Sequence, residues 1–288
     1  MRKSSIHLLK LGAACLISAA SPAVFPAFAQ GGKVVTQPSA GLSYADIVDL
    51  ADHAPLVANV RIRNIIVLKP EQAGTVPAGH KRLFVEADVT GLIRGESGIS
   101  PAVTYLYDAP LDARGKLPKY KKAQFILFAR AGGRPGEIQI VAPDAQIPAT
   151  PAENDRVKAI LSALVAPDAP PRILGLGDAF HVAGTIEGEG ETQIFLRTEN
   201  GDPVSLSILR RPGQQPRWAV ALGEIVDEAA RPPQPGSLLW YRLACSLPAA
   251  LPARSVRTLS VLDAEAANAD YALVMRALGP CGRTRTPA

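Results

Sequence analysis

Three groups of residues in this chain could do chemistry. Glu187, Glu189 and Glu191 alternate with Gly188 and Gly190. Hard carboxylate oxygens in a glycine-flexible turn suit a calcium ion, which makes these three acids the candidate metal site. They lack the Asp and Asn pattern of a calcium loop, so a solvated hairpin tip is the competing reading. Arg210, Arg211, Arg217 and Trp218, followed by Trp240, Tyr241 and Arg242, set guanidinium groups beside aromatic rings. Aromatic residues make up only 5% of the chain, so two tryptophans beside arginines single this region out. Trp and Arg recur as anchors of binding surfaces, and the cluster is the candidate binding site, for glycan or peptide. Cation–π stacking inside a sheet is its structural alternative.

Cys245 and Cys281 form the third group, and their pairing depends on the first thirty residues. Arg2, Lys3 and Lys10 precede an apolar stretch from Leu11 to Ala20, and Pro22 and Pro26 lead to Ala27-Phe28-Ala29. This is the layout of a cleavable signal peptide, residues 1–29. Its apolar run is too short for a permanent span, which needs about 20 residues. A lipoprotein with Cys15 as the lipid acceptor fits less well, because Gly12 stands where a large aliphatic residue belongs. Cleavage removes Cys15 and leaves Cys245 and Cys281 as an even pair in a compartment where disulfides persist. Two cysteines without partnered histidines are too few for structural zinc, so a disulfide is expected, contributing about 3 to 4 kcal/mol in the chain-entropy model.

The leader also distorts the charge. The whole chain has 31 Lys and Arg against 26 Asp and Glu; without Arg2, Lys3 and Lys10 the balance is 28 against 26. A nucleic-acid reader shows a concentrated basic face, and the one dense cluster, Lys116, Lys119, Lys121 and Lys122, suits a solvated loop or an anionic surface. Nucleic acid is therefore not an expected partner. Nor is a reaction legible: the chain contains no G-x-S-x-G elbow, S-x-x-K, H-E-x-x-H, phosphate loop or dinucleotide fingerprint. After the leader, only His53, His80 and His181 remain as imidazoles, each expected in a loop or at the surface. No catalytic residue and no cofactor is assigned.

The elements that must position these residues follow from periodicity. A polar arm, residues 30–42, precedes a helix that Ser43 caps with Asp46 three residues on, ending at Pro55. Alternation then predicts strands at Leu56–Leu68 and Leu83–Thr90, with Val60, Ile62, Ile66 and Leu68 on the buried face of the first and Asn64 falling among them. Val103–Tyr107, Gln124–Arg130 and Ile138–Ala142 follow, the last two joined by the Gly132–Gly136 turn. Five strands in this span suit a barrel or sandwich. Thr150, Pro151 and Glu153 open a helix to about Val165, with Val157, Ile160, Leu161 and Leu164 on one face, and Pro167, Pro170 and Pro171 stop it. Beyond it, strands are expected at Phe180–Ile186, Gln193–Thr198, Val204–Leu209, Trp218–Leu222 and Leu238–Cys245. Asn200-Gly201 should form a tight two-residue turn, and a long acid- and proline-bearing loop runs from Glu224 to Gly236. A last helix, Asp263–Leu278, packed on the second sheet would carry Cys281 to Cys245.

Ala45-Asp46-Ile47-Val48, then Val57-Ala58-Asn59-Val60, Val85-Glu86-Ala87-Asp88-Val89, Leu92-Ile93-Arg94-Gly95-Glu96 and Phe125-Ile126-Leu127-Phe128 resemble exported bacterial OB-type barrels similar to the netrin and tissue-inhibitor-of-metalloproteinases module. The resemblance covers residues 45–130 and rests on apolar pattern and one glycine. The chain lacks the N-terminal cysteine of the animal members, so protease inhibition does not carry over.

The expected fold is mainly β with a few helices, as two small β-barrel or β-sandwich domains, 43–150 and 172–252, joined by the helix and proline-rich linker 151–171 and followed by a disulfide-tethered tail, 253–288. The expected function is that of an exported, periplasmic or secreted, non-enzymatic binding or envelope-associated protein, with an envelope protein or glycan as partner and no transmembrane span after cleavage. The alternative is a secreted hydrolase or enzyme inhibitor.

Overall fold

A computed structural model describes residues 41–223 and 231–285. The expected leader, the arm as far as residue 40, and residues 224–230 of the long loop lie outside the described residues. All the elements below belong to one unit, Leu42–Ala288.

Helix α1 (Tyr44–His53) opens on the expected capping box: Asp46 N–H donates to Ser43 Oγ at 3.1 Å, and Ser43 N–H donates to Asp46 Oδ2 at 2.8 Å. Each bond satisfies an amide that the helix start would otherwise orphan. Strands β1 (Leu56–Val67), β2 (His80–Arg94), β3 (Ala102–Pro110), β4 (Gln124–Ala131) and β5 (Ile138–Ile140) pair antiparallel in the order β3-β2-β1-β4-β5, and β6 (Gln146–Pro148) also pairs with β4. A short helix, α2 (Pro70–Ala73), interrupts the β1–β2 connection. A parallel bridge between Thr104 and Glu137 brings β3 to β5, so the sheet curls into a nearly closed barrel. Val60, Ile62, Leu83, Val85, Val103, Tyr105 and Leu127 fill it.

The alternation of β1 breaks where its register shifts, between Ile62 and Asn64. An irregular extra residue moves every later side chain to the other face. Asn64 therefore faces out, and Ile66, expected to be buried, is 48% exposed. It stands opposite Phe84, which stands opposite Leu106, itself 49% exposed, so an apolar row crosses the outer face of β1, β2 and β3.

Helix α3 (Pro151–Leu164) buries Val157, Ile160 and Leu161 as its pattern predicts. Thr150 Oγ1 accepts from Glu153 N–H at 3.2 Å, while the Glu153 carboxylate turns to Arg156 at 3.6 Å, so a one-sided cap replaces the expected box. Strands β7 (Ile173–Ala183), β8 (Gly190–Thr198), β9 (Val204–Arg210) and β10 (Arg217–Ala221) form a second antiparallel sheet in the order β10-β9-β8-β7. The chain is thus mainly β with a few helices. Ile194, Leu196, Leu206 and Ile208 belong to one core with residues of α1, α3, β4, α4 (Leu238–Ala244) and α5 (Val261–Leu278). On the sheet's open face Phe180 and Phe195 meet edge to face, centroids 5.8 Å apart.

Three expectations are corrected. Leu238–Ala244 is helix α4, not strand, with Cys245 as its C-cap: Ser237 Oγ accepts from Trp240 N–H at 3.2 Å, and Leu238, Trp240, Tyr241, Arg242 and Leu243 are all buried. A short apolar run fits a buried strand or a buried helix equally; the Ser cap and the helix formers Leu, Arg and Ala decide it. Strand β7 starts and ends earlier than expected, leaving Ile186 in the turn that the Gly184 N–H bond to the Glu189 carbonyl closes at 2.9 Å. The Asn200-Gly201 connection is a longer loop, because a tight type I′ turn needs two positive φ angles and here Gly201 alone, at 81°, supplies one. Asn200 instead donates from Nδ2 to Asp202 at 2.6 Å. The expected disulfide is present: Cys245 is bonded to Cys281, and α5 packs on β7 and β8.

Candidate functional site

The arginine–aromatic cluster does not form one face. Trp240 is buried, its indole N–H donating to the Leu278 carbonyl at 2.8 Å. Tyr241 and Arg242, buried beside it, reach Asp49 and Asp52 of α1. The Arg242 guanidinium lies 5.6 Å from the Tyr241 ring centroid. These three residues fasten α4 into the core. The other four lie at the β9–β10 turn, where Arg211 and Arg217 are exposed, Trp218 is half-buried and Arg210 is paired with Asp270 of α5 at 2.5 Å. Glu187 is exposed at the β7–β8 tip and Glu191 is exposed on β8. Among the described residues no three His, Cys, Asp or Glu side chains gather as a metal site. The lysine cluster lies exposed in the β3–β4 connection.

Sequence reasoning missed how α1 is used. Asp46, Asp49 and Asp52, three residues apart, share one stretch of helix and meet the far end of the chain. Asp46 accepts from the backbone and hydroxyl of Thr284 and from the Arg285 N–H; Asp49 accepts from Tyr241 and Arg283; Asp52 pairs with Arg242 and Arg172. Arg285 goes on to Asp144, Nε to Oδ2 at 2.8 Å. Burial alone would raise the Asp46 carboxyl, but the hydrogen bonds from Thr284, Ser43 and Arg285 outweigh it and hold the group at about 2. Burial, then the adjoining Asp49 carboxylate, push the Tyr241 phenol above its ordinary value. The network is a clasp: each of these carboxylates is held by named donors, and nothing in it is poised to turn over a substrate.

A second polar array joins His181, Thr192, Asp270 and Arg210. His181 Nδ1 lies 2.8 Å from Thr192 Oγ1, and the Thr192 hydroxyl donates to Asp270, both Thr192 and Asp270 being fully buried. The hydroxyl has one proton and gives it to the carboxylate, so Nδ1 carries the proton of the other bond. A nucleophilic triad needs the imidazole between hydroxyl and acid. Here the hydroxyl is in the middle and sealed from solvent, so the array ties sheet to helix.

The concave surface lies elsewhere, where the barrel is incompletely closed. Between the outer face of β2 and β3 and the β4–β5 hairpin runs an open groove of about 960 Å³, floored by Phe84, Leu106, Ile140 and Val141. Arg82 bounds one end, held by two bonds of 2.7 Å to Asp108 and by donation to the Ala73 and Thr75 carbonyls. The Arg82 hydrogen bonds hold the Asp108 carboxyl below its usual range against a smaller opposing effect of burial. Arg134 bounds the other end, paired to Glu137 at 3.0 Å. The hairpin is shaped by two glycines: a Cβ at Gly132 would fall 2.8 Å from the Glu137 carbonyl oxygen, and Gly136 holds a φ of 77° while its own carbonyl accepts from Thr104 N–H. On the hairpin's other side a recess of about 640 Å³ reaches the Ser97–Ser100 turn. The groove's walls present no histidine, cysteine or serine. An apolar floor between paired charges is suited to holding a ligand.

No protein-family model and no curated protein matches the chain. The groove therefore carries the functional argument on its own geometry. One sequence signal did point to it: on β2, Phe84 stands in the otherwise charged phase of Arg82, Glu86 and Asp88.

Proposed function

We propose that this is an exported, non-enzymatic binding protein of the cell envelope that holds its partner, an envelope protein or a glycan, in the groove beside the β4–β5 hairpin. The observation that carries the reading is the groove itself: large, open and apolar at its floor, with its two carboxylates, Asp108 and Glu137, each paired to an arginine. The OB-type resemblance is part of the same proposal. Strand order β3-β2-β1-β4-β5, with β3 meeting β5 in parallel, supports it. OB barrels bind ligands on the β2–β3 face and the β1–β2 and β4–β5 loops; here the β1–β2 connection anchors Arg82 and the β4–β5 hairpin lines the groove. The leader pattern and the Cys245–Cys281 disulfide favour export, and no described helix is long and apolar enough to cross a membrane.

Leu106 is half exposed, so Leu106→Asp places a charge on the groove floor without disturbing the barrel core. Tagged mature protein is expected to capture a partner from envelope extract and the variant to lose it. Equal capture by both proteins, or a clean absence of partners, counts against the reading.

A further inference from the structure

We infer that the loop between β3 and β4 docks this protein on an anionic membrane surface, with lipid phosphate as the group it meets; the inference concerns a different part of the molecule from the groove and does not rest on it. Residues 111–123 carry Arg114, Lys116, Lys119, Lys121 and Lys122 against a single acid, Asp112. Taking these five cations and one acid from the 28 and 26 of the chain without its expected leader leaves 23 against 25. The positive excess of the whole chain therefore sits in this one loop. All five cations are exposed, and among the described residues none forms an ion pair. Asp112 is spent on the loop itself: its Oδ1 accepts from the Arg114 and Lys116 N–H groups at 2.8 Å each, and its own N–H donates to the Lys116 carbonyl at 2.8 Å.

The loop is fastened so that its charges stay outside. Tyr120 is buried in the barrel core, edge to face with Tyr107 at 5.9 Å between centroids, and Leu117 packs on the same core. Lys122 has a φ of 68°, the one non-glycine residue with a positive φ among the described residues. Its N–H donates to the Ile62 carbonyl at 2.9 Å, and Ile62 N–H donates to the Ala123 carbonyl at 2.9 Å, which fixes that backbone against β1. The conformation favours glycine. A lysine held there is strain of the kind that functional sites keep.

Shape and residue type decide which anion fits. Neither concave surface of the barrel includes a residue of this loop, so the charges suit an extended surface rather than an enclosed ligand. Four of the five are lysines, compact point charges, and not the planar arginine forks that grip a single phosphate or carboxylate. A nucleic-acid strand needs exposed rings on which its bases stack, and the one ring in the loop, Tyr120, is buried. Beside an anionic leaflet each lysine or arginine strengthens attachment about fivefold. The attraction falls off within a Debye length, about 8 Å at physiological salt, so attachment by such a loop is reversible.

The test is co-sedimentation of the mature protein with vesicles of phosphatidylglycerol and phosphatidylcholine mixed about 3:7, and with vesicles of phosphatidylcholine alone. The protein should bind the mixed vesicles at least about tenfold more tightly than the neutral ones, and should leave them at about 1 M salt, where the Debye length shrinks to about 3 Å. Replacing Lys116, Lys119, Lys121 and Lys122 together by glutamine should cost at least about tenfold in affinity, while replacing all four by arginine should keep it. Lys122→Gly separates backbone from charge: it should weaken binding about fivefold without lowering the urea midpoint. If the four-glutamine protein does not fold, Lys122→Gly and the salt series still decide. Equal binding to both kinds of vesicle, a folded four-glutamine protein that binds like wild type, or release by inorganic phosphate at constant ionic strength would overturn the inference. Tighter binding to duplex DNA than to the mixed vesicles would overturn it as well.

Discussion

Asp49 of the first helix and Arg283 near the end of the chain form a two-point ion pair across 234 residues, Nε to Oδ2 at 2.5 Å and Nη2 to Oδ1 at 3.0 Å. Asp49 is 5% exposed, so removing its cation leaves a carboxylate buried beside the Tyr241 hydroxyl. Arg283→Ala should therefore cost about 3 kcal/mol, the order seen when one partner of a buried pair is deleted. Urea unfolding measures it, and a loss under about 0.5 kcal/mol, the scale of an ordinary surface change, would mean the clasp is ornamental.

The disulfide and the clasp act on the same tail. Replacing Cys245 and Cys281 by serine opens a loop with a sequence separation of 36 and should cost about 3 to 4 kcal/mol. It should also speed hydrogen exchange at the Thr284 and Arg285 amides, which donate to Asp46 Oδ1 at 2.9 and 3.1 Å. Unchanged exchange there would show that the tail holds without the bridge.

Asp46 sets a dependence on pH. Its folded carboxyl lies at about 2 against an ordinary 3.8, so below neutral the unfolded chain takes up the proton first. The stabilisation is present above the ordinary value and disappears as pH falls through about 4 towards 2, amounting to about 2 kcal/mol. Urea midpoints measured at pH 6 and pH 2.5 should lie further apart for wild type than for Asp46→Asn; an equal or smaller separation in wild type would contradict the assignment.

Arg210 is distinguished from its neighbours by Asp270, which is fully buried. Arg210→Ala should destabilise by about 3 kcal/mol, while Arg211→Ala and Arg217→Ala, on exposed residues, should stay within about 0.5 kcal/mol. Thermal melts of the three variants rank them. Equal effects would return Arg210 to the surface cluster.

Local chemistry was legible in the sequence. The Ser43–Asp46 box, the Thr150–Pro151 start and the alternation of Leu83, Val85 and Ala87 depend on neighbours within a few residues, and the structure repeats them. The disulfide followed from residue count and compartment. What failed was either degenerate or distant. Leu238–Cys245 carries too little periodicity to separate helix from strand, and a register shift in β1 turned Ile66 outward against its pattern. Asp46, Asp49 and Asp52 look in sequence like a solvated helix face, because nothing local announces partners at Tyr241 and Arg283. Grouping Arg210 with Trp240 assumed that both lay on one sheet, and the helix broke that assumption. The groove lies between the outer face of β2 and β3 and a hairpin that Gly132 and Gly136 shape, so it depends on how distant segments come together rather than on the pattern of any one strand.

The central claim is that the partner sits in the groove and not on the open face of the second sheet. A photo-crosslinking residue placed at Leu106, and separately at Val182, which is 69% exposed on β7, tests it in envelope extract. The account predicts a covalent adduct from position 106 and none from 182; an adduct from 182 alone, or equally from both, would contradict it.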